Sequence, residues 1–265
     1  MGRVLSFGVL ILTIVAVAAG LWYYRSTQIK PFFAVAAEPP RDSVVERLKS
    51  ANPKVAEEAE NEVRQLGAKA LPEIQKVLKD PAANGALKKA ALRACALLNV
   101  FASPALADIV PYLDQPEFTA EAAMALSLIG PEAYTPLTNA LHSTHAEVRR
   151  EAARSLGKLQ VRAPLEASYV VPSLLEALSD PDPGVRHVAC VYLGIIHEYP
   201  DAAVPALTEM LDDEDVEVRT AAATALGSFG GDAEPALPAL RRAQGDKDEN
   251  VAREAGLALV RLSSK

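Results

Sequence analysis

From Val148 the chain reads VRREAARSLGKL, with apolar residues at the first position and at four, eight and eleven residues beyond it: Val148, Ala152, Leu156 and Leu159. This spacing places them on one face of a helix. The template returns as VRHVACVYLGII from Val185 and VRTAAATALGSF from Val218, and in looser form from Val251, Phe118, Leu87 and Val55. Successive starts are 32, 31, 30, 37, 33 and 33 residues apart, a period that marks a repeat array rather than a single globular core.

A second apolar run precedes each copy, clearest as VPSLLEAL from Val171, VPALTEML from Val204 and LPALRRAQ from Leu237, with LPEIQKVL from Leu71 and TPLTNAL from Thr135. A proline stands near each start, where its missing N–H and fixed φ suit a first helical turn. Each unit is therefore expected to be two short helices, A then B, joined by a turn rich in Asp, Pro and Gly. One such pair cannot bury its apolar face alone, and stacking on its neighbours gives a continuous core along a superhelix. Seven pairs fill residues 43–265, with Ser43–Leu48 as the opening A helix. Gln160–Ser168 reads as an insertion that lengthens one step to 37.

The first 25 residues follow another rule. Val4 to Tyr24 holds no charged residue, about the length that crosses a bilayer core as a helix, with Arg3 and Arg25 at its ends and Trp22, Tyr23 and Tyr24 together at one of them. The expectation is an uncleaved anchor over residues 1–25, a linker over 26–42 stiffened by Pro39-Pro40, and the solenoid after it. A cleaved signal peptide is the alternative, since Ala16-Val17-Ala18 offers a small-residue cleavage pattern, and it would leave a secreted solenoid. Basic residues flank both ends, so charge gives no clear orientation. The short N-terminus favours a repeat domain on the extracytoplasmic side.

Composition sharpens this picture. Half of the residues are hydrophobic but only 5% aromatic, so the core is built of Ala, Leu and Val, a helical mixture. From Asp42 onward 33 acidic residues face 23 basic ones, which argues against a nucleic-acid partner. Cys95 and Cys190 lie inside apolar helical runs and read as small buried hydrophobes.

The string PALTEMLDDEDVEVRTAAATALG from Pro205 to Gly227 resembles the HEAT repeat, in particular the short bacterial form also found in phycobilin-lyase-like proteins. The resemblance implies an all-α superhelix whose B helices line the concave surface. It also implies a polar ladder in which a turn Asp partners a B-helix Arg six residues on, as Asp180 with Arg186 and Asp213 with Arg219. Asp246 is followed by Ala252, and the third unit has Thr119 at the Arg position, so the ladder is expected to fail towards both ends. Deoxyhypusine hydroxylase is similar in fold but binds iron through His-Glu pairs near helix starts. Here such a pair occurs only as His197-Glu198, at the end of a B helix.

No phosphate-binding glycine loop, nucleophile elbow or zinc-protease motif is present. His142 and His145 flank one A-to-B turn and His187 lies three residues before Cys190, too few ligands for zinc. No catalytic residue, metal or cofactor is expected, and the function expected is that of an anchored scaffold for protein partners. A lyase accessory role of the phycobilin-lyase type is the alternative.

Positions two, three, six and ten after each B start should face the concave surface. They give Lys89 and Arg93 in the second unit, Arg150, Arg154 and Lys158 in the fourth, and His187, Val188, Val191 and Ile195 in the fifth. An apolar strip beside a basic cluster, on an acidic domain, is the expected partner site.

Overall fold

A computed structural model describes residues 43–162 and 167–263. The expected membrane helix, within residues 1–25, and the linker 26–42 lie outside the described residues. From Val44 onward the described chain is an all-helical repeat stack. Its helices are α1 (Val44–Leu48), α2 (Pro53–Leu66), α3 (Leu71–Lys79), α4 (Gly85–Leu98), α5 (Leu106–Ile109), α6 (Thr119–Ile129) and α7 (Tyr134–Ala140). They continue with α8 (Ala146–Arg162), α9 (Ala167–Ala177), α10 (Pro183–Ile196), α11 (Pro200–Glu209), α12 (Val216–Phe229), α13 (Leu237–Ala243) and α14 (Glu249–Ser263). Odd numbers are A helices and even numbers B helices. Two A helices are much shorter than the repeat pattern suggests: α1 has 5 residues, and α5 has 4 before Pro111 turns the chain into a 3-10 segment, Val110–Tyr112.

The turns explain where the B helices begin. Asp182 accepts hydrogen bonds from the backbone N–H of Val185 (3.1 Å), Asp215 from those of Glu217 (2.9 Å) and Val218, and Asp248 from that of Asn250 (2.9 Å). Each carboxylate satisfies N–H groups that the first helical turn leaves without a partner. Asn84 does the same for Leu87 at 2.9 Å.

Their ends are set by one position, twelve residues after the B start. Gly67 and Gly230 there have φ of 53°, which glycine adopts without steric cost; Asn99 at 54° takes the same conformation, and His197 at 38° is in the left-handed helical region. In the fourth unit this position is Gln160, which stays helical and buried, within hydrogen-bond reach of the Tyr134 hydroxyl (3.3 Å to Oε1). Helix α8 therefore runs on to Arg162 and spans 17 residues, against 14 for α10 and α12, and the longest repeat step follows from this missing stop.

The core lies between the A row and the B row. Ile74, Ile109, Leu137, Leu174, Leu207 and Leu240 from the A helices and Leu92, Leu126, Leu156, Leu193 and Leu226 from the B helices are inaccessible to solvent or nearly so. The residue four after each B start is alanine in all seven units, from Ala59 to Ala255, and each is fully buried. Beside this row two glycines permit close approach. A Cβ on Gly194 would stand 2.6 Å from Ala225 Cα of α12, and one on Gly157 would lie 2.1 Å from the Tyr192 ring of α10. The segment Gly85–Tyr112 is long and apolar enough to cross a membrane by composition. It comprises α4, a 3-10 connection and α5, and its Leu92, Cys95, Leu98 and Ile109 belong to the core.

Candidate functional site

The Asp–Arg ladder exists, but its rungs run between repeats rather than within them. Arg149 of α8 grips the Asp180 carboxylate (2.7 and 2.8 Å), Arg186 of α10 grips Asp213 (2.8 and 2.9 Å), and Arg219 of α12 grips Asp246 (2.8 and 3.2 Å). Within its own repeat each Arg donates to backbone carbonyls of the turn: six residues back to Ser143, Asp180 or Asp213, and for Arg186 and Arg219 also five back, to Pro181 and Glu214. Thr119 keeps that part of the pattern, its hydroxyl donating to Leu113 O at 2.9 Å. The expected pairs Asp180–Arg186 and Asp213–Arg219 are thus corrected to Arg149–Asp180, Arg186–Asp213 and Arg219–Asp246. The ladder also reaches the last turn, because Asp246 needs an Arg in the preceding repeat and not at Ala252.

Burial works against the Asp180 and Asp213 carboxylates, but the Arg hydrogen bonds and the N–H groups of Asp182 and Asp215 outweigh it and hold both below the usual carboxylate range. Asp246 is lowered chiefly by its hydrogen bond from Arg219. The three rungs lock the last four A-to-B turns to one another and lie at the start of the B helices, away from the rest of their outer faces.

On those faces most residues six and ten after the B starts are accessible, as are Glu57, Ala120 and Arg253, two after theirs. Arg93, Met124, Lys158, Ile195, Thr224, Ser228, Leu257 and Arg261 are exposed, and Arg154 and Val191 half-buried. Lys89, Arg150 and His187, also two after their starts, are half-buried. The position three after the start turns towards the neighbouring repeat, so Val188, expected on the surface, is a core residue at 5% exposure.

The basic cluster is also less open than its sequence suggests. Arg150 pairs with Asp182 across the repeat boundary (3.1 Å) and Arg154 with Glu151 in its own helix, which leaves Lys158 as the exposed cation of the three. Arg93 meets Glu121 at 3.5 Å, and Lys89 has no close partner among the described residues.

Between α10 and α12 the surface opens into a groove of about 250 Å³, lined by His187, Val191 and Ile195 on one side and Glu217, Thr220, Thr224 and Ser228 on the other. Its floor is made where Gly194 meets Ala225. Thr220, Thr224 and Ser228 each donate to the carbonyl four residues back, so the α12 wall is polar but its hydroxyl donors are engaged within the helix. A larger depression of about 370 Å³ lies at the A-to-B edge beside the Arg149–Asp180 rung, near His142. His142 approaches Glu176 (3.9 Å) and His145 approaches Asp114 (3.8 Å), all four side chains being well exposed. Among the described residues no three His, Cys, Asp or Glu side chains are placed to hold a metal ion. Burial pushes the Cys95 and Cys190 thiols up to about 12, far from what a nucleophile at neutral pH requires.

Comparison with known proteins agrees with the repeat reading. Residues 171–261 match the HEAT repeats family and residues 148–180 the PBS lyase HEAT-like repeat. No curated protein matches the chain. Among solved structures, that of Kap95p with RanGDP superposes with a TM-score of 0.63 at 14% identity, over 82% of this chain and 32% of that one. The chain thus spans about a third of that protein, and the likeness concerns the fold alone. An engineered protein superposes with a TM-score of 0.49 at 26% identity, over 83% of this chain and 67% of that one. The complex of CpcE and CpcF of phycocyanin lyase from Nostoc sp. PCC7120 gives 0.48 at 23% identity, over 59% of this chain and 98% of that one.

Proposed function

We propose that this chain is a HEAT-repeat scaffold that binds a protein partner across the exposed faces of its B helices and is held at a membrane by residues 4–24, with the repeats on the extracytoplasmic side. The observation that carries the binding surface is a set of large apolar side chains on the B-helix face that the core does not use. Met124 (52% exposed) and Leu257 (44%) stand six residues after their B starts and Ile195 (48%) ten after its own, and the groove beside Ile195, about 250 Å³, has room for a side chain. An exposed apolar patch rimmed by polar residues marks a protein-interaction site. The fold likeness to Kap95p, whose structure describes binding to RanGDP, supports a protein as the partner.

In this reading the solenoid performs no chemistry. The ladder and the alanine row hold successive B helices in register, and the partner meets a surface formed before it arrives, so little ordering cost is paid on binding.

A photo-crosslinking residue at Ile195 or Thr224, compared with one at Glu176 or Glu209 on the A helices, tests the surface in native membranes. Adducts from the B-helix sites are expected, and adducts confined to the A-helix sites would overturn the reading. Alkaline carbonate extraction of the full chain against a chain lacking residues 1–25 tests the anchor; full chain in the supernatant removes it. The mass of the mature N-terminus separates the anchored form from one cleaved after Ala18.

A second reading, a lyase accessory subunit, takes its support from the match of residues 148–180 to the PBS lyase HEAT-like repeat. A chromophore adduct on the purified chain would favour it.

A further inference from the structure

On the B-helix face acidic residues are confined to the early positions of each helix, such as Glu57, Glu58 and Glu217. The residues six and ten after the seven B starts make fourteen positions, from Asn61 and Gln65 to Leu257 and Arg261, and none is acidic, although the domain carries ten more acidic than basic residues. Four are cationic: Arg93, Arg154, Lys158 and Arg261. Glu121 and Glu151, one position row away, take up Arg93 and Arg154, whereas Lys158 and Arg261 are exposed and form no ion pair among the described residues. These two belong to one row and enclose its uncharged stretch, so that the order across α8, α10, α12 and α14 is Lys158, Ile195, Ser228, Arg261. The Arg261 guanidinium leans back over α12, close to Gly227.

We infer that the partner segment bound here is an extended acidic peptide whose two carboxylate ends meet Lys158 and Arg261 and whose central apolar side chain enters the groove beside Ile195. This rests on the B-helix reading above and narrows it. Packed helices stand about 9 Å apart, so three steps from α8 to α14 span about 27 Å, the reach of about eight extended residues. Carboxylates at the ends of such a segment complement the two cations. The stretch between them offers Val191, Ile195 and the methyl groups of Thr220 and Thr224, with no acidic residue at the positions six and ten after the B starts; Glu217 lines the groove at the N-terminal end of α12, and Glu254 lies beside Thr224. A basic segment would face unpaired like charge at both ends, which is the discriminating element.

The test uses the full chain and a labelled peptide, Asp-Asp-Gly-Ser-Leu-Gly-Ser-Leu-Asp-Asp, with fluorescence anisotropy as the readout. Versions with Asn or Lys in place of every Asp are the comparison. The acidic peptide is expected to bind at least about tenfold more tightly than the Asn version, with the preference shrinking at high salt. Lys158→Glu with Arg261→Glu should reverse the order of the acidic and Lys peptides. Lys158→Gln with Arg261→Gln should erase it, and circular dichroism melting checks that both variants stay folded. Equal affinities for the three peptides, no binding of the acidic one, or an unchanged preference in the reversed chain would overturn the inference. If crosslinks from Ile195 persist while the peptides fail in any of these ways, the scaffold reading stands and the acidic-segment inference alone falls. Absence of crosslinks from Ile195 and Thr224 in the parent chain removes the scaffold reading itself.

Discussion

Arg186 holds both carboxylate oxygens of Asp213 from the neighbouring repeat, at 2.8 and 2.9 Å, while a third nitrogen reaches the carbonyl of Asp180 in its own turn. One side chain thereby ties two successive turns together. It is only 9% exposed and its partner 7%. Removing either partner leaves a charge that is largely cut off from water. Arg186→Leu is expected to cost roughly 3–5 kcal/mol, read as a lower urea midpoint. Arg186→Leu combined with Asp213→Asn should cost clearly less than the two single changes added. Additive costs would mean the rung contributes no coupling.

The same rungs fix how stability responds to acid. The pKa values of Asp180, Asp213 and Asp246 are all lowered in the folded chain, against about 3.9 when unfolded. The folded state therefore prefers the charged form, and the stability gained is complete above the unfolded value. It is lost as pH falls through that value towards the folded ones. The urea midpoint is expected to be level near neutrality and to drop steeply below about pH 4. In Asp213→Asn the midpoint should start lower and fall less steeply. Parallel curves for the two proteins would exclude the rung as a source of acid sensitivity.

Much of this architecture is legible in the sequence, and what is not has a physical reason. The alanine row and the Leu positions repeat because every B helix meets the same neighbours, so periodicity alone finds them. Partnership across the ladder is hidden by that same regularity. An Arg six residues after one Asp is also 27 residues before the next in α10 and α12, and only geometry tells which carboxylate it reaches. Val188 is misplaced on the surface by helical-wheel reasoning, because that position faces the neighbouring repeat. Arg150 and Arg154 look free until Asp182 and Glu151 are seen beside them. Gln160 could have been noticed as the place where a turn-forming residue is missing, which is why α8 overruns.

Helix spacing supplies a test of the packing. Gly194→Ala would set a methyl group 2.6 Å from the Ala225 backbone, which cannot move without shifting α12. The expected cost is about 1–3 kcal/mol despite the better helix propensity of alanine. Gly231→Ala is the control, since nothing lies within 4 Å of the added atom. A stabilised Gly194→Ala would show that α10 and α12 are not in contact along this line.

The buried thiols report how the stack opens. At pH 8 a thiol with a pKa near 12 is almost wholly protonated, whereas in an unfolded chain, near 8.5, a substantial fraction is thiolate. Both cysteines should therefore be silent towards a thiol reagent until a repeat opens. The two should not open alike. Helix α4, which carries Cys95, packs between α6 and α2, and α2 buries only Ala59 and Val63, while α10, which carries Cys190, is flanked by α8 and α12 with ladder rungs on both sides. In a linear stack each repeat is stabilised by its neighbours, so opening starts where an interface is weakest. Under mild urea Cys95 is expected to be labelled at least several-fold faster than Cys190, measured by mass spectrometry of the tryptic peptides. Arg186→Leu should narrow the gap by speeding Cys190. Equal labelling rates in the parent chain would mean that the stack opens as one cooperative unit, and that the weak packing of α2 has no consequence for the repeat beside it.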